Sequence, residues 1–230
     1  MDDTTVVVTG ASRGIGRRVA AAFAAEGARV VACARDDEAL DELAADVAES
    51  GGTLLAERAD VRDEFDMERL MERAAREGGR IDTLVACAGV NHGTPGEMPT
   101  AEESYARFDD TMRTNARGVF ATVKEAVPHM ADDARVLVPS GSVAREAKAG
   151  MGAYAVSKAA AEALVRGFAA DLKQTVGVVD PGLVATDLTG GRGRDPDDAA
   201  AMFVWAATDA DAADLDGEIL DLRAWETATR

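Results

Sequence analysis

Cysteine is scarce in this sequence. Cys33 and Cys87 are the only two among 230 residues, too few for a disulfide framework. Histidine is as rare, with His92 and His129 alone. No His/Cys cluster has metal-ligand spacing, so no metal is expected, and both histidines read as loop or surface residues without the neighbours of a ligand or base. No uncharged apolar run reaches the roughly 18 residues that a membrane-crossing helix needs, so no membrane partner is expected. The chain enters a strand-like run directly after Met1-Asp2-Asp3, which is read as leaving no room for a secretory signal. With disulfides missing as well, a cytoplasmic setting follows. Proline is limited to 6 residues and no low-complexity tract occurs, which argues against disorder.

Positive charge is also short. The 42 acidic residues outnumber the 25 basic ones, for a formal net charge of -17. Such a surface repels phosphate backbones, so nucleic acid is not an expected partner. The acidity is spread rather than blocked, as on a solvated surface. Adaptation to high salt is one source of this balance, since screening removes the self-repulsion; a GC-rich genome, favouring Arg and Ala, is another. On the first reading the protein loses its fold when salt is dialysed away, which circular dichroism in dilute buffer would test.

Hydrophobic residues make up 47% of the chain, enough for a sizeable core, and the length suits one α/β domain over residues 1–230. Short β-branched runs at 5–9, 29–33, 53–57, 83–88, 134–139 and 176–180, with a last edge strand at 217–221, alternate with helix-like stretches near 14–26, 36–49, 63–78, 101–111, 115–131 and 152–173. That alternation predicts a doubly wound, Rossmann-type α/β domain: a mostly parallel sheet of about seven strands with helices on both faces.

The run Val8-Thr9-Gly10-Ala11-Ser12-Arg13-Gly14-Ile15-Gly16 joins the first strand to the first helix. Gly10 permits a tight turn, Gly14 lets the backbone approach a pyrophosphate, and Gly16 allows close helix packing. The helix N-terminus then offers unpaired N–H groups to phosphates. The second strand ends in Ala34-Arg35 with no acidic residue placed to grip a ribose 2′-hydroxyl, unless Asp36 reaches back. Arg35, with Arg13 as a second cation, suits a 2′-phosphate, so NADP(H) is the expected cofactor and NAD(H) the alternative.

Tyr154 and Lys158 are four residues apart in a small-residue-rich helical stretch, which puts them on one face. A free tyrosine ionises near pH ~10, and a neighbouring cation favours the phenolate. A tyrosine so tuned serves as a proton donor to a carbonyl oxygen, or as its acceptor in reverse. The chain has only two tyrosines and four lysines, which makes an accidental pairing less expected.

With these residues in view, the sequence resembles the classical short-chain dehydrogenase/reductase family over nearly its full length. The motifs come in the family's order: residues 9–16, Asp60-Val61, Ala88-Gly89, Asn115, Ser142, Tyr154 with Lys158, and Pro181-Gly182 followed by Thr186-Asp187. The resemblance implies an oxidoreductase that passes a hydride between a nicotinamide cofactor and a small carbonyl or alcohol substrate. Tyr154 would be the acid–base group, with Lys158 tuning it and holding the nicotinamide ribose. Ser142, at the end of the fifth strand, would bond the substrate oxygen; strand periodicity puts Ser140 on the same face. Asn115 would support a water-linked proton relay. Gly10, Ser12, Arg13, Gly14, Ile15 and Gly16 would cradle the phosphates, beside Ala88 and Gly89. Asp60 would accept from the adenine amino group with Val61 beside the ring, Pro181 and Gly182 would pass under the nicotinamide, and Thr186 would bond its carboxamide. A homodimer or homotetramer built on the helices carrying Asn115 and Tyr154 is implied as well.

Three departures stand out. Ala86-Cys87-Ala88-Gly89 replaces the family's Asn-Asn-Ala-Gly, with Cys87 read as a small core filler; the segment 171–176 is short; and only residues 188–194 stand where relatives commonly carry a helical lid. That short loop predicts an open site, or one completed by another subunit. Asn91-His92-Gly93 and Arg145-Glu146 are read as substrate-facing, and Arg192 and Arg194 as solvated. The competing reading from another class is a nucleotide-binding sensor or scaffold without turnover.

Overall fold

In the computed structural model, which describes residues 1–229, the β-branched runs become β1 (Thr5–Thr9), β2 (Arg29–Ala34), β3 (Thr53–Arg58), β4 (Ile81–Ala86), β5 (Met130–Pro139), β6 (Thr175–Asp180) and β7 (Ile219–Asp221). Around them lie α1 (Gly14–Ala25), α2 (Asp37–Glu49), α3 (Glu64–Gly78), α4 (Tyr105–Met112), α5 (Gly118–Ala126), α6 (Gly152–Asp171), α7 (Pro196–Thr208), α8 (Ala212–Leu215) and α9 (Leu222–Ala228). The strands form one sheet in the order β3-β2-β1-β4-β5-β6-β7, and every pairing is parallel. The expected doubly wound α/β architecture is the observed one.

β1 shows how the sequence dictates this. Val6 and Val8 join the core under α1, α2 and α7, while Val7 joins the one under α3, α5 and α6, as strand alternation requires. All three are fully buried, the pattern of a parallel strand covered on both faces. Each contributes about 1.5–3 kcal/mol relative to an exposed side chain.

Several boundaries differ from expectation, three of them for local reasons. The predicted helix over 115–131 stops at Ala126, and Pro128 in the next turn has no N–H to continue it. Its last two residues begin β5 instead: Met130 pairs with Ile81 and Arg135 with Thr83, so the register shifts between them. β4 ends two residues early because Ala88 leaves the ladder and donates its N–H to Thr9 Oγ1 at 3.3 Å. Finally, the predicted helix over 101–111 is a 3-10 turn at Thr100–Glu102 followed by α4, which Ser104 caps by accepting from the Arg107 N–H.

Strand order reverses between β1 and β4. In such sheets a crevice opens at the carboxyl ends of the strands at this point. On the helices where association is implied, Phe120 stacks on Phe168 with ring centroids 5.9 Å apart, and Val156 is partly exposed.

Candidate active site

A cleft of about 1170 Å³ lies at that reversal point. Its floor is the glycine turn. Gly10 has φ +71, and a Cβ there would sit 2.6 Å from Ala88 Cα. Gly16 would place one 2.4 Å from the Gly10 carbonyl oxygen, so only hydrogen fits at either position. Gly14, at φ +56, faces Thr186 across the cleft. α1 begins at Gly14 with no side chain capping it, so its first N–H groups remain without an intrahelical partner. Ser12, Arg13, Ile15 and Gly16 line the same wall. Uncapped N–H groups at a helix start attract phosphate oxygens, so these residues fit a dinucleotide pyrophosphate.

Arg35 lines the far end of the cleft. Asp36, the residue that was to decide between cofactors, spends its carboxylate on capping α2, accepting from the Ala39 N–H at 3.2 Å. Arg13 reaches Asp187 at only 3.8 Å, with both side chains mostly exposed, a pair of little energetic weight. Asp60 and Val61 are in the wall as well. Both Asp60 oxygens, however, accept from the Arg62 guanidinium, at 2.6–3.0 Å. Burial pushes the Asp60 carboxyl up, but the hydrogen bonds and charge of Arg62 outweigh it and hold it below the usual carboxylate range. Arg62 also donates to Asp110 at 2.7 Å, and Asp110 meets His92 Nε2 at 2.7 Å. His92 therefore has a carboxylate partner, contrary to its reading as a residue without such neighbours, and lines the cleft together with Asn91.

Tyr154 and Lys158 face the cleft from α6. The Lys158 ammonium lies 5.7 Å from the Tyr154 ring centroid and donates to the Pro139 carbonyl at 3.0 Å. Two of its three hydrogens stay available. Asn115 stands in a π-helical turn, Arg113–Arg117, between α4 and α5. Its amide clamps Val90, accepting from the N–H at 2.8 Å and donating to the carbonyl at 2.9 Å, and it donates to Ser157 at 3.0 Å. Its side chain thus fastens the loop after β4 to α6 and is not among the residues lining the cleft, unlike its neighbour Thr114. The Thr114 hydroxyl and the Asn91 amide nitrogen are buried without a hydrogen-bond partner among the described residues. Ala88 and Gly89 line the cleft, whereas Pro181 and Gly182 are not among its lining residues.

Ser142 is not at a strand end. β5 finishes at Pro139, and Ser142 opens a 3-10 turn, Ser142–Ala144. Ser140 does not share its face: the Ser140 hydroxyl is buried and donates to Glu162 at 2.6 Å. Alternation holds only inside a strand, and the chain has already turned. Cys87 is half-buried: it packs against the core under α1, α2 and α7, as a small filler does, and also lines the cleft. Burial pushes its thiol up to about 11 despite the charge of Lys158, and burial pushes Cys33 up to about 12. Neither is a nucleophile at neutral pH.

Arg145, expected to face substrate, turns inward. Its guanidinium bonds both Glu162 and Asp180, whose side chains are 4% and 8% exposed. Asp180 in turn accepts from the Gly182 N–H at 3.0 Å. One arginine thus ties the Ser142 turn to α6 and to the Pro181-Gly182 turn. The short loop over 188–194 is also tied down: Arg194 exchanges backbone bonds with Leu183 and Ala185, at 2.8 and 2.9 Å, and its guanidinium lies 5.4 Å from the Trp225 ring centroid. Arg194 is therefore not a solvated loop residue. Sequence reading missed Arg62, Asp110, Glu162 and Lys148. Of these, only Glu162 carried a signal, at the next i+4 position after Tyr154 and Lys158.

Among the described residues no group of His, Cys, Asp and Glu could hold a metal, and no helix is long and apolar enough to cross a membrane. The model of the short chain dehydrogenase family matches residues 4–197. Two relatives come from Emericella nidulans. A glycine betaine reductase is 36% identical over 80% of this chain, a span that is 15% of its own length. A versicolorin reductase is 32% identical over 82% of this chain and 72% of its own length. A short chain dehydrogenase from Burkholderia cenocepacia, solved in complex with NADP, superposes with a TM-score of 0.85 at 27% identity, covering 97% of each chain. A 7α-hydroxysteroid dehydrogenase solved with NADH and a 7-oxo bile acid gives 0.87 at 27% identity, covering 97% of this chain and 94% of that one.

Proposed function

The chain belongs to the short-chain dehydrogenase/reductase family of oxidoreductases, and from that premise we propose that it moves a hydride between NADP(H) and a small carbonyl or alcohol compound, with Tyr154 as the acid–base group. The observation that carries this reading is the meeting of Tyr154 and Lys158 in the same cleft as the glycine turn. The hydride is the chemistry that a nicotinamide dinucleotide supplies when bound; the remaining work falls to side chains. In reduction, the Tyr154 hydroxyl gives its proton to the carbonyl oxygen. The Lys158 ammonium stabilises the negative charge that this leaves on the phenol oxygen. Ser142 holds the substrate oxygen by a hydrogen bond, and Asn115 keeps the loop after β4 against α6. The uncapped start of α1 binds the pyrophosphate, with Gly10, Ser12, Gly14, Ile15 and Gly16 as its bed.

NADP(H) is preferred on this reading because Arg35, directly after β2, lines the cleft while Asp36 is committed to capping α2. A charge-assisted bond to a phosphate is worth about 1.5–3 kcal/mol, so Arg35→Ala is expected to weaken NADPH binding roughly 10–100-fold and leave NADH unchanged. Nicotinamide fluorescence titration measures both. Tighter binding of NADH than of NADPH by the wild type would instead favour an NAD-preferring enzyme. Turnover is tested with NADPH and a panel of neutral ketones that includes 9,10-phenanthrenequinone and ethyl acetoacetate. Tight NADPH binding with no turnover across that panel would point to the sensor reading.

A further inference from the structure

Ser142 and Lys148 belong to one loop between β5 and α6, and that loop is held at both ends. At its start, the N–H groups of Arg145 and Glu146 bond the Ser142 carbonyl at 3.0 and 2.8 Å, while the Arg145 side chain is anchored in Glu162 and Asp180. At its end, the Gly150 carbonyl accepts from the N–H groups of Gly96 and Met98 at 2.9 and 3.0 Å. Gly150, at φ +69, comes so near Gly96 that a Cβ would stand 2.1 Å from its carbonyl oxygen. Between these anchors Lys148 turns back over the turn. Its Nζ lies 2.5 Å from Ser142 Oγ, with Glu146 as a counter-ion at 3.2 Å.

The chemistry of that contact has one direction. An ammonium can only donate, whereas a serine hydroxyl has one hydrogen and two lone pairs. Lys148 therefore occupies an acceptor position of the Ser142 oxygen and leaves the single serine hydrogen to point elsewhere. A carbonyl oxygen, which only accepts, is the complementary partner. The adjacent positive charge also polarises the hydroxyl; with Ser142 on the substrate oxygen, as the oxidoreductase reading has it, it would do so where negative charge develops as hydride arrives. The chain has four lysines in all, and this places two of them, Lys148 and Lys158, each beside a residue assigned to the reacting oxygen.

We propose that Lys148 is a positioning residue that locks Ser142 as a hydrogen-bond donor to the reacting oxygen and strengthens that donor. The assignment rests on the oxidoreductase reading above. The test is a double-mutant cycle on the full chain, using whichever neutral ketone of the panel the wild type reduces. Removing one preorganised donor to a developing oxyanion costs roughly 10²-fold in kcat, so Ser142→Ala is expected to fall by that much. Lys148→Met should lower kcat about 10-fold with the ketone KM nearly unchanged, because the interaction acts in the transition state. Lys148→Arg should recover most of that loss. In the Ser142→Ala background, Lys148→Met should cost almost nothing further, since the two act as one unit. NADPH affinity and melting temperature should not move. A readout independent of turnover is the carbonyl stretch of the same ketone in a dead-end complex with NADP⁺, which Lys148→Met should shift back toward its solution frequency.

Three results overturn the assignment: losses that multiply in the double variant, a Lys148→Met effect confined to KM, or a carbonyl band that does not move. The parent reading fails separately, if the wild type binds no nicotinamide nucleotide or reduces no ketone of the panel.

Discussion

Tyr154→Phe is expected to abolish turnover while leaving nucleotide binding intact. The substitution removes one oxygen and keeps the ring against Lys158, whose ammonium is already held by the Pro139 carbonyl, so α6 has no reason to shift. What is lost is the proton donor. Positioned acid–base groups contribute typically 10²–10⁴-fold, and a fall in kcat of about 10³-fold is expected, with NADPH affinity within about twofold of wild type. Steady-state kinetics on the wild type's best ketone and a fluorescence titration read the two quantities separately. Retention of more than about a tenth of the activity would remove Tyr154 from the proton step. Simultaneous loss of NADPH binding would mean that the tyrosine builds the cofactor site instead.

The largest effect on stability is expected at Arg145. Its guanidinium is the ion-pair partner of both Glu162 and Asp180, two carboxylates almost entirely withdrawn from water, and Ser140 donates to the same Glu162 oxygen. Arg145→Met keeps much of the aliphatic stem but leaves both carboxylates without a counter-charge. Breaking a buried pair costs about 3–5 kcal/mol, and the low end applies here because the arginine side chain is itself 34% exposed. In a chain of this length that corresponds to a fall in melting temperature of roughly 6–12 °C. The distinguishing control is Arg145→Met combined with Glu162→Gln and Asp180→Asn. Neutralising the carboxylates should restore most of the lost stability, because the cost lies in the uncompensated charges rather than in missing packing. A triple variant no more stable than Arg145→Met would refute that explanation. Activity should fall further than stability accounts for, since the cluster joins the Ser142 turn, α6 and the Gly182 turn.

Around the cleft the charges of this chain are largely paired with one another. Two ionic chains are absent from any local pattern: His92–Asp110–Arg62–Asp60, which reaches the cleft at His92 and Asp60, and Glu162–Arg145–Asp180, which joins the Ser142 turn to α6. Against a net charge of -17, arginines engaged with carboxylates leave few cations to attract an anionic partner. That gives Arg35, which lines the cleft, its weight in the proposed preference for NADP(H).

Periodicity and turn chemistry are local, and whatever they govern was legible in the sequence alone. The two-faced burial of Val6, Val7 and Val8, the strand-to-helix glycine turn and the i, i+4 alignment of Tyr154 with Lys158 each follow from neighbouring residues and backbone geometry. The sheet and the cleft at its point of reversal follow from repeating that alternation. The tertiary structure alone decided which side chains meet across irregular segments. Arg145 and Asp180 are 35 residues apart, Arg62 and Asp110 are 48, and an arginine on an acidic chain reads as solvated until docking encloses it. Ser140 and Ser142 look equivalent by spacing, yet the chain leaves the strand between them, turning one hydroxyl into the interior and the other toward Lys148. Helix and strand periods place residues on faces; only the packing of one face against another assigns their partners, because that choice depends on distances the sequence does not encode locally.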